Sequence, residues 1–368
     1  MFHQTNIISN IINNLFSNRP YKIKDETIYF MQEFNENINI YYDIISKYKK
    51  IVFRNNYYDF FDTNESMDKI IKYMCNDLST HKLDSQFNKY VDNLPNNLEE
   101  IYFGYNFDKP VDNLPENLIR IYFGNNFNNF VDKLPNKLKE LHFGYHFNKL
   151  IDNLPKSLVK IYFEGYFNQS IDNLPDNIIL ISILSKFNQP INKLPKNLEY
   201  FQLSYVNCYN NDIPQSENLK YLEICQYFKS KITINDKLVN LICYFDFSDK
   251  INLPESLKSL TLYHTNQYLI DNLPNSVEEI IFGWWWKKLQ LDNLPNSIKI
   301  IDLERIDKNV IFNLNNLPNS VEIIKLPQYY NQEIFKLPSN LKIIYCDKKY
   351  KFVKKLKKQK IKILLYDR

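Results

Sequence analysis

The chain has 368 residues with a formal net charge of +4, 44% hydrophobic and 15% aromatic residues, and five glycines. Such a composition can fill a continuous core and excludes wholesale disorder, while so small a charge singles out neither a nucleic-acid nor a membrane partner. Five scattered cysteines (Cys75, Cys208, Cys225, Cys243, Cys346) with no CxxC pair suit a reducing compartment, and no apolar run is long enough to span a bilayer, so the reading is a soluble, cytoplasmic protein without a secretory leader. Alanine is absent and Asn, Ile, Lys, Tyr and Phe dominate, a codon skew of the kind AT-rich genomes impose, so richness in Tyr or Asn is not itself a functional signal.

Taken in chain order, residues 1–85 lack the repeat described below and read as a mostly helical N-terminal cap. "TNIISNIINNLFS" has helical spacing, "DETIYFMQEF" predicts a second helix over 25–34, and "NESMDKIIKYMCNDL" a third over 64–78. Between them "KKIVFRNNYYDFF" alternates like a strand, with Ile51, Phe53 and Tyr57 spaced as Ile101, Phe103 and Phe107 are later, and "KLDSQFNKYV" supplies the second half of a further unit. A strand through Ile51 and Phe53 should therefore lie beside the first coil.

Residues 86–346 are an internal repeat. "VDNLPNNLEEIYFGYNFDKP" is followed at once by "VDNLPENLIRIYFGNNFNNF", and Leu-Pro recurs with its Leu at 94, 114, 134, 154, 174 and 194, a spacing of twenty. After a degraded section over 205–251 it resumes at Leu253, Leu273, Leu294, Leu317 and Leu337. Each unit carries L-x-x-L-x-L, as in Leu98, Ile101 and Phe103, and Ile101-Tyr102-Phe103 has the period of two that sends Tyr to the opposite face. A lone unit of this size cannot bury its apolar side, but stacked units bury one another's. The fold class expected is a β-rich solenoid of leucine-rich-repeat type, with parallel strands stacked in about thirteen short coils, a small helical N-terminal cap and a stacked Phe107–Phe127–Phe147–Phe167–Phe187 spine. The tail, residues 347–368, holds nine lysines between Lys348 and Lys362. It reads as a cap whose final "IKILLY" strand closes the ladder and whose lysines guard the edge, in preference to a nucleic-acid site.

"FNQPI" at Phe187–Ile191, together with "FNKL", "FNQS" and "FNNF" in neighbouring copies, resembles the FNIP repeat family, known chiefly from social amoebae and large DNA viruses. For a viral chain the cytoplasm would be the host's. The resemblance implies a solenoid akin to leucine-rich repeats and an interaction role, with no catalytic residues. Some members begin with an F-box that docks on a ubiquitin-ligase adaptor. "NINIYYDIISKYKKIVF" resembles the later half of an F-box loosely, although the usual Leu-Pro opening is absent.

No His, Ser and acid share a motif and there is no Gly-rich phosphate loop, so an enzyme is not expected. The column Asp92, Asp112, Asp132, Asp152, Asp172, Asp271 and Asp292 could bind calcium but lacks the glycine-rich nonapeptide of calcium-binding β-helices; each Asp is expected to cap its own turn. His142 and His146 are four apart, but no third ligand accompanies them, and neither metal nor cofactor is expected. The candidate partner-binding face is the side of the strands opposite the core, whose residues change from unit to unit: Tyr102, Arg120, Tyr122, Glu140, His142, Tyr162, Tyr200 and Gln202. Tyr paired with charge suits protein recognition. Trp284 and Trp285 of "GWWWKK" are added as anchors, the alternative being two rings folded over a neighbouring coil. The expected activity is a monomeric, non-enzymatic solenoid that binds a protein partner. The alternative is a ubiquitin-ligase substrate receptor.

Overall fold

The structure, a computed structural model, describes residues 20–53, 85–204, 209–225, 228, 230, 232–244, 252–264, 267–285, 289–307, 310, 312–359 and 361–366. The helices expected over 5–17 and 64–78, and Tyr57, lie outside these residues. The chain divides into two compact units, 1–178 and 179–368.

In the first unit an antiparallel hairpin, β1 (Tyr21–Lys24) and β2 (Thr27–Phe30), leads into a parallel ladder. The ladder continues through β3 (Lys50–Val52), β4 (Glu100–Tyr102), β5 (Arg120–Tyr122), β6 (Glu140–Phe143) and β7 (Lys160–Gly165). Register follows the repeat: Ile51 faces Ile101, Ile101 faces Ile121, and Ile121 faces Leu141. Among the described residues of this unit, helical structure is a 3-10 turn, Ile38–Tyr41, and a single turn of helix, α1 (Tyr42–Ile45).

The helix expected over 25–34 is instead strand. Asp25 takes a positive φ of 53° at the hairpin turn, and Thr27, Ile28, Tyr29 and Phe30 are the β-branched and aromatic types that fit a pleated surface. This segment is itself a repeat. Ile28, Phe30, Phe34, Asn35 and Ile38 stand at the spacing of Ile101, Phe103, Phe107, Asp108 and Val111, and Ile28, Phe30, Phe34 and Ile38 are buried.

The second unit is a parallel ladder of ten strands: β8 (Leu180–Ser185), β9 (Tyr200–Leu203), β10 (Tyr221–Ile224), β11 (Asn240–Cys243), β12 (Ser259–His264), β13 (Glu279–Trp285), β14 (Ile300–Asp302), β15 (Ile323–Lys325), β16 (Ile343–Cys346) and β17 (Lys362–Leu365). Among its described residues, two one-turn helices, α2 (Gln267–Asp271) and α3 (Val353–Lys357), lie on connections. The degraded stretch keeps the frame: β10 and β11 pair in register, and Tyr209 takes a spine place between Phe187 and Phe228, at centroid distances of 5.9 and 6.2 Å.

The core is built from the repeat's columns, and the turns explain the Leu-Pro signature. Pro95 offers no N–H, and none is needed because it lies outside the ladder; its carbonyl accepts the amide of Leu98 at 3.3 Å, and Pro115, Pro135 and Pro155 do the same for Leu118, Leu138 and Leu158. In the first unit the phenylalanine spine runs from Phe34 through Phe87, Phe107, Phe127 and Phe147 to Phe167, at successive centroid distances of 5.6, 6.0, 6.0, 6.1 and 6.1 Å. A second column, Phe103, Phe123, Phe143 and Phe163, packs at 3.7–3.9 Å against the first. The aromatic interior is thus two rings wide.

Candidate functional site: the strand face and its aromatic shelf

The strand face follows from the period of two: when Ile101 and Phe103 turn inward, Glu100 and Tyr102 turn outward. In the first unit these outward columns close on each other. Tyr102, Tyr122, His142 and Tyr162 stack ring on ring at 4.1, 4.0 and 3.9 Å. Beside them Lys50, Glu100, Arg120, Glu140 and Lys160 alternate in sign, with Lys50 to Glu100 at 3.5 Å, Arg120 to Glu100 at 2.9 Å and Lys160 to Glu140 at 3.6 Å. The tyrosine hydroxyls tie the columns together: Tyr102 donates to Glu100 at 3.1 Å and Tyr122 to Glu140 at 2.8 Å.

This corrects the picture of an open, variable groove. Tyr102, Tyr122, Tyr162, Tyr200 and Gln202 are buried, and Arg120, Glu140 and His142 are half-buried. Stacked parallel strands bring rings of successive coils within van der Waals reach, so like aromatic residues in one column cover one another rather than face water. The electrostatics agree. Burial, then the Glu100 charge, pushes the Tyr102 hydroxyl well above its usual range. Burial also pushes the Glu140 carboxyl up, but His142, Lys160 and Tyr122 together outweigh it and hold the group at about 2. Burial lowers His142 against the pull of Glu140. A neutral imidazole therefore donates its Nε2–H to an ionised carboxylate at 2.8 Å.

In the second unit the same face holds a buried carboxylate, Glu223. Gln202 Nε2 donates to it at 3.1 Å, Tyr221 at 3.0 Å, and Ser204 also donates, while Ser182 donates to Gln202 Oε1 at 2.6 Å. Burial raises its pKa against these donors and Tyr244. Tyr200 stacks on Tyr221 at 3.9 Å.

Three strands on from Glu223, in β13, the face opens. Trp284 is 56% exposed and meets Tyr263 edge to face at 5.9 Å and 74°. Tyr263 stacks on Tyr244 at 4.1 Å, and its hydroxyl accepts from Arg305 Nη1, whose guanidinium lies 6.0 Å from the ring centroid. Gly283 makes the shelf possible, because a Cβ there would sit 2.1 Å from the Tyr263 ring. Sequence reading missed Tyr244, Tyr263 and Arg305. The available signal was a glycine one repeat after a tyrosine in the same outward column. Trp285 lies in β13 opposite His264.

Elsewhere the Asp column works between coils rather than within its own turn. Asp92, Asp132, Asp152, Asp271 and Asp292 each accept from the side-chain amide of an Asn in the next coil (Asn113, Asn153, Asn173, Asn293 and Asn316) at 2.9–3.2 Å. Among the described residues no group of three or more His, Cys, Asp or Glu could hold a metal ion. No helix among them is long and apolar enough to cross a membrane.

A family model described as FNIP repeat matches residues 130–166 and 247–284, so the chain carries FNIP repeats. Among solved structures it is similar to CroV588, titled a novel circular leucine-rich-repeat protein structure, at 26% identity and a TM-score of 0.51 over 90% of this chain. The chain spans 61% of that protein's length. YopM from Yersinia enterocolitica WA-314 matches at 18% identity and 0.46 over 72% of this chain and 67% of its own. TLR13, in its complex with ssRNA13, matches at 16% and 0.44 over 68% and 47%. Both lie below the similarity at which a likeness bears on function. A search of curated protein sequences returns no significant match.

Proposed function

We propose that this leucine-rich-repeat-like solenoid is a non-enzymatic, monomeric protein-binding module whose partner is anchored on the Tyr244–Tyr263–Trp284–Arg305 shelf. The observation that carries the reading is Trp284, more than half exposed on a face whose other aromatic columns are covered. An exposed indole costs free energy in water, and Trp, Tyr and Arg dominate the hot spots of protein interfaces. The shelf is also rigid: one side of Tyr263 is held by Tyr244, its hydroxyl by Arg305, and its edge by Trp284. Little side-chain entropy is then lost on docking. A cytoplasmic setting fits the buried free thiols of Cys243 and Cys346.

The test is affinity capture by the full chain and by Trp284→Ala from the same lysate, read by quantitative mass spectrometry. A partner bound through the shelf should fall at least about tenfold in the variant, the loss expected of a hot-spot aromatic. Equal capture of every partner by a folded variant would sink the reading.

A second reading, substrate receptor of a ubiquitin ligase, is favoured by one observation. Ile40 and Tyr42, in the F-box-like segment, are 67% and 46% exposed. Ile51, Val52 and Phe53 of that segment belong to the solenoid core, so Ile40→Asp discriminates better than removing residues 1–60. A ligase adaptor that co-purifies with the wild type and not with Ile40→Asp supports it. The absence of any adaptor in the wild-type complex rejects it.

A further inference from the structure

Each buried spine phenylalanine fixes the backbone so that the residues on either side of it emerge in two parallel columns. In the first unit these columns line an open groove made of Asn35, Gln86, Asn88, Asn106, Asp108, Asn126 and His146. One column bonds itself from coil to coil. Asn35 Oδ1 accepts the amide of Asn88 at 3.0 Å, Asn88 Oδ1 that of Asp108 at 3.0 Å, and Asp108 Oδ1 that of Asn128 at 2.9 Å. The other bonds through its amides, Asn126 Nδ2 to Asn106 Oδ1 at 3.1 Å and Asn106 Nδ2 to the Ser85 carbonyl at 3.2 Å.

Those bonds consume one end of most of the side chains and hold them in place. Among the described residues they leave Nδ2 of Asn35 and Asn88, the second carboxylate oxygen of Asp108, Oδ1 of Asn126, the Gln86 amide and the His146 ring nitrogens to face the groove. At its end His146 packs between Tyr145 and Tyr166, at 5.3 and 5.6 Å, and Tyr166 is 40% exposed.

We infer that this groove is a binding site for a neutral, linear oligosaccharide, distinct from the shelf in the second unit. Its lining contains no Lys or Arg, and Asp108 would repel an anion, so phosphate, nucleic acid and acidic sugars do not fit. A single carboxylate does not make a cation site. An apolar ligand would strand the amides. A sugar hydroxyl is both donor and acceptor and matches amide ends presented at fixed spacing, while the flat apolar face of a pyranose suits the Tyr166 ring. The lining also repeats coil by coil, at about the 6.0 Å step of the Phe87, Phe107 and Phe127 spine, so a polymer with a regular repeat can place successive sugars on successive coils.

The test titrates the full-length protein with cellotetraose, maltotetraose, chitotetraose and mannotetraose, by calorimetry and saturation-transfer NMR. At least one should bind with a dissociation constant of about 1 mM or tighter. The double variant Gln86→Ala/His146→Ala removes two exposed side chains that make none of the coil-to-coil hydrogen bonds named above. It should lose about tenfold in affinity, the equivalent of one good polar contact, with its thermal melt unchanged. Trp284→Ala should bind sugar as the wild type does, which separates this site from the protein-binding shelf. No binding of any of the four at ~10 mM, undiminished binding by the double variant, preference for a sulfated tetrasaccharide, or capture of an extended peptide by these same side chains would each overturn the assignment.

Discussion

Truncating one ring of the phenylalanine spine tests the shared interior most directly, and Phe127→Ala is the change of choice. Phe127 is fully buried, with Phe123 at 3.8 Å in its own coil and Phe107 and Phe147 at 6.0 and 6.1 Å in the coils on either side. A Phe to Ala change in a well-packed core costs about 3–5 kcal/mol, as lost transfer free energy plus the cavity left behind. The upper half of that range applies here. The void opens between three other rings, and the ladder β4–β5–β6 fixes the spacing of the coils, so the walls cannot collapse without breaking hydrogen bonds. Phe127→Leu, which refills most of the volume, should cost about 1 kcal/mol. Urea unfolding gives the magnitude. Hydrogen exchange gives the place: protection should fall first at the amides of Ile121 and Leu141, since each coil contacts only its neighbours. A loss below about 1 kcal/mol for Phe127→Ala, or exchange that rises evenly along the chain, would refute a spine shared between coils.

Acid should destabilise the first unit in two stages. His142 sits below its ordinary value and Glu140 is lowered from 4.5 to about 2, so both bind protons more readily unfolded than folded, and stability is lost as pH falls. The His142 share goes first, below the ordinary histidine value of 6.5; the Glu140 share follows, of order 3 kcal/mol between about pH 5 and 2. Thermal melts across that range should show Glu140→Gln with a flatter acid limb than the wild type, and parallel limbs would refute the assignment. Gly283→Ala should force the Tyr263 ring from its stack at a cost of about 1–3 kcal/mol; near-ultraviolet circular dichroism identical to the wild type would show that the shelf is not built on that glycine. Asn128→Ala deletes the side-chain acceptor that holds the Asn148 amide at 2.9 Å. Because the site is exposed and water can substitute, the expected loss is about 0.5–1 kcal/mol, and a urea midpoint unchanged from the wild type would show that these lateral bonds do not stabilise the stack.

Several elements were legible in the sequence because periodicity is a property of residue order. The Leu-Pro spacing, the alternation Ile101-Tyr102-Phe103 and the echo at Ile51 and Phe53 each specify which residues must share a buried side, and β3, β4 and β5 lie in that register. Other elements were masked by a competing pattern. Thr27–Phe30 carries both signals, because the apolar residues at 28, 30, 31 and 34 satisfy a helical period as well as the repeat's own. The relics at 209–244 depart from the pattern because Tyr209 and Ile213 replace the usual Phe and Leu, yet Tyr209 still takes a spine place and Ile213, followed by Pro214, is still buried at the turn.

The strand face shows where such reasoning stops. Its variability was visible, but nothing in residue order says that Tyr102, Tyr122 and Tyr162 cover one another, that Glu140 is shared by His142, Tyr122 and Lys160, or that Asp92 reaches Asn113. All of those pairings but His142–Glu140 join residues about one coil apart, and they exist only once the coils are stacked. Residue order by itself determined the repeat, its inward columns and hence the solenoid, because burying apolar surface depends on which residues recur and at what interval. Tertiary structure decided which outward residues are consumed in ladders and which, like Trp284 and the amides around Asn126, still face solvent, because hydrogen bonding and ring stacking depend on distances of a few ångströms that no spacing in the chain encodes.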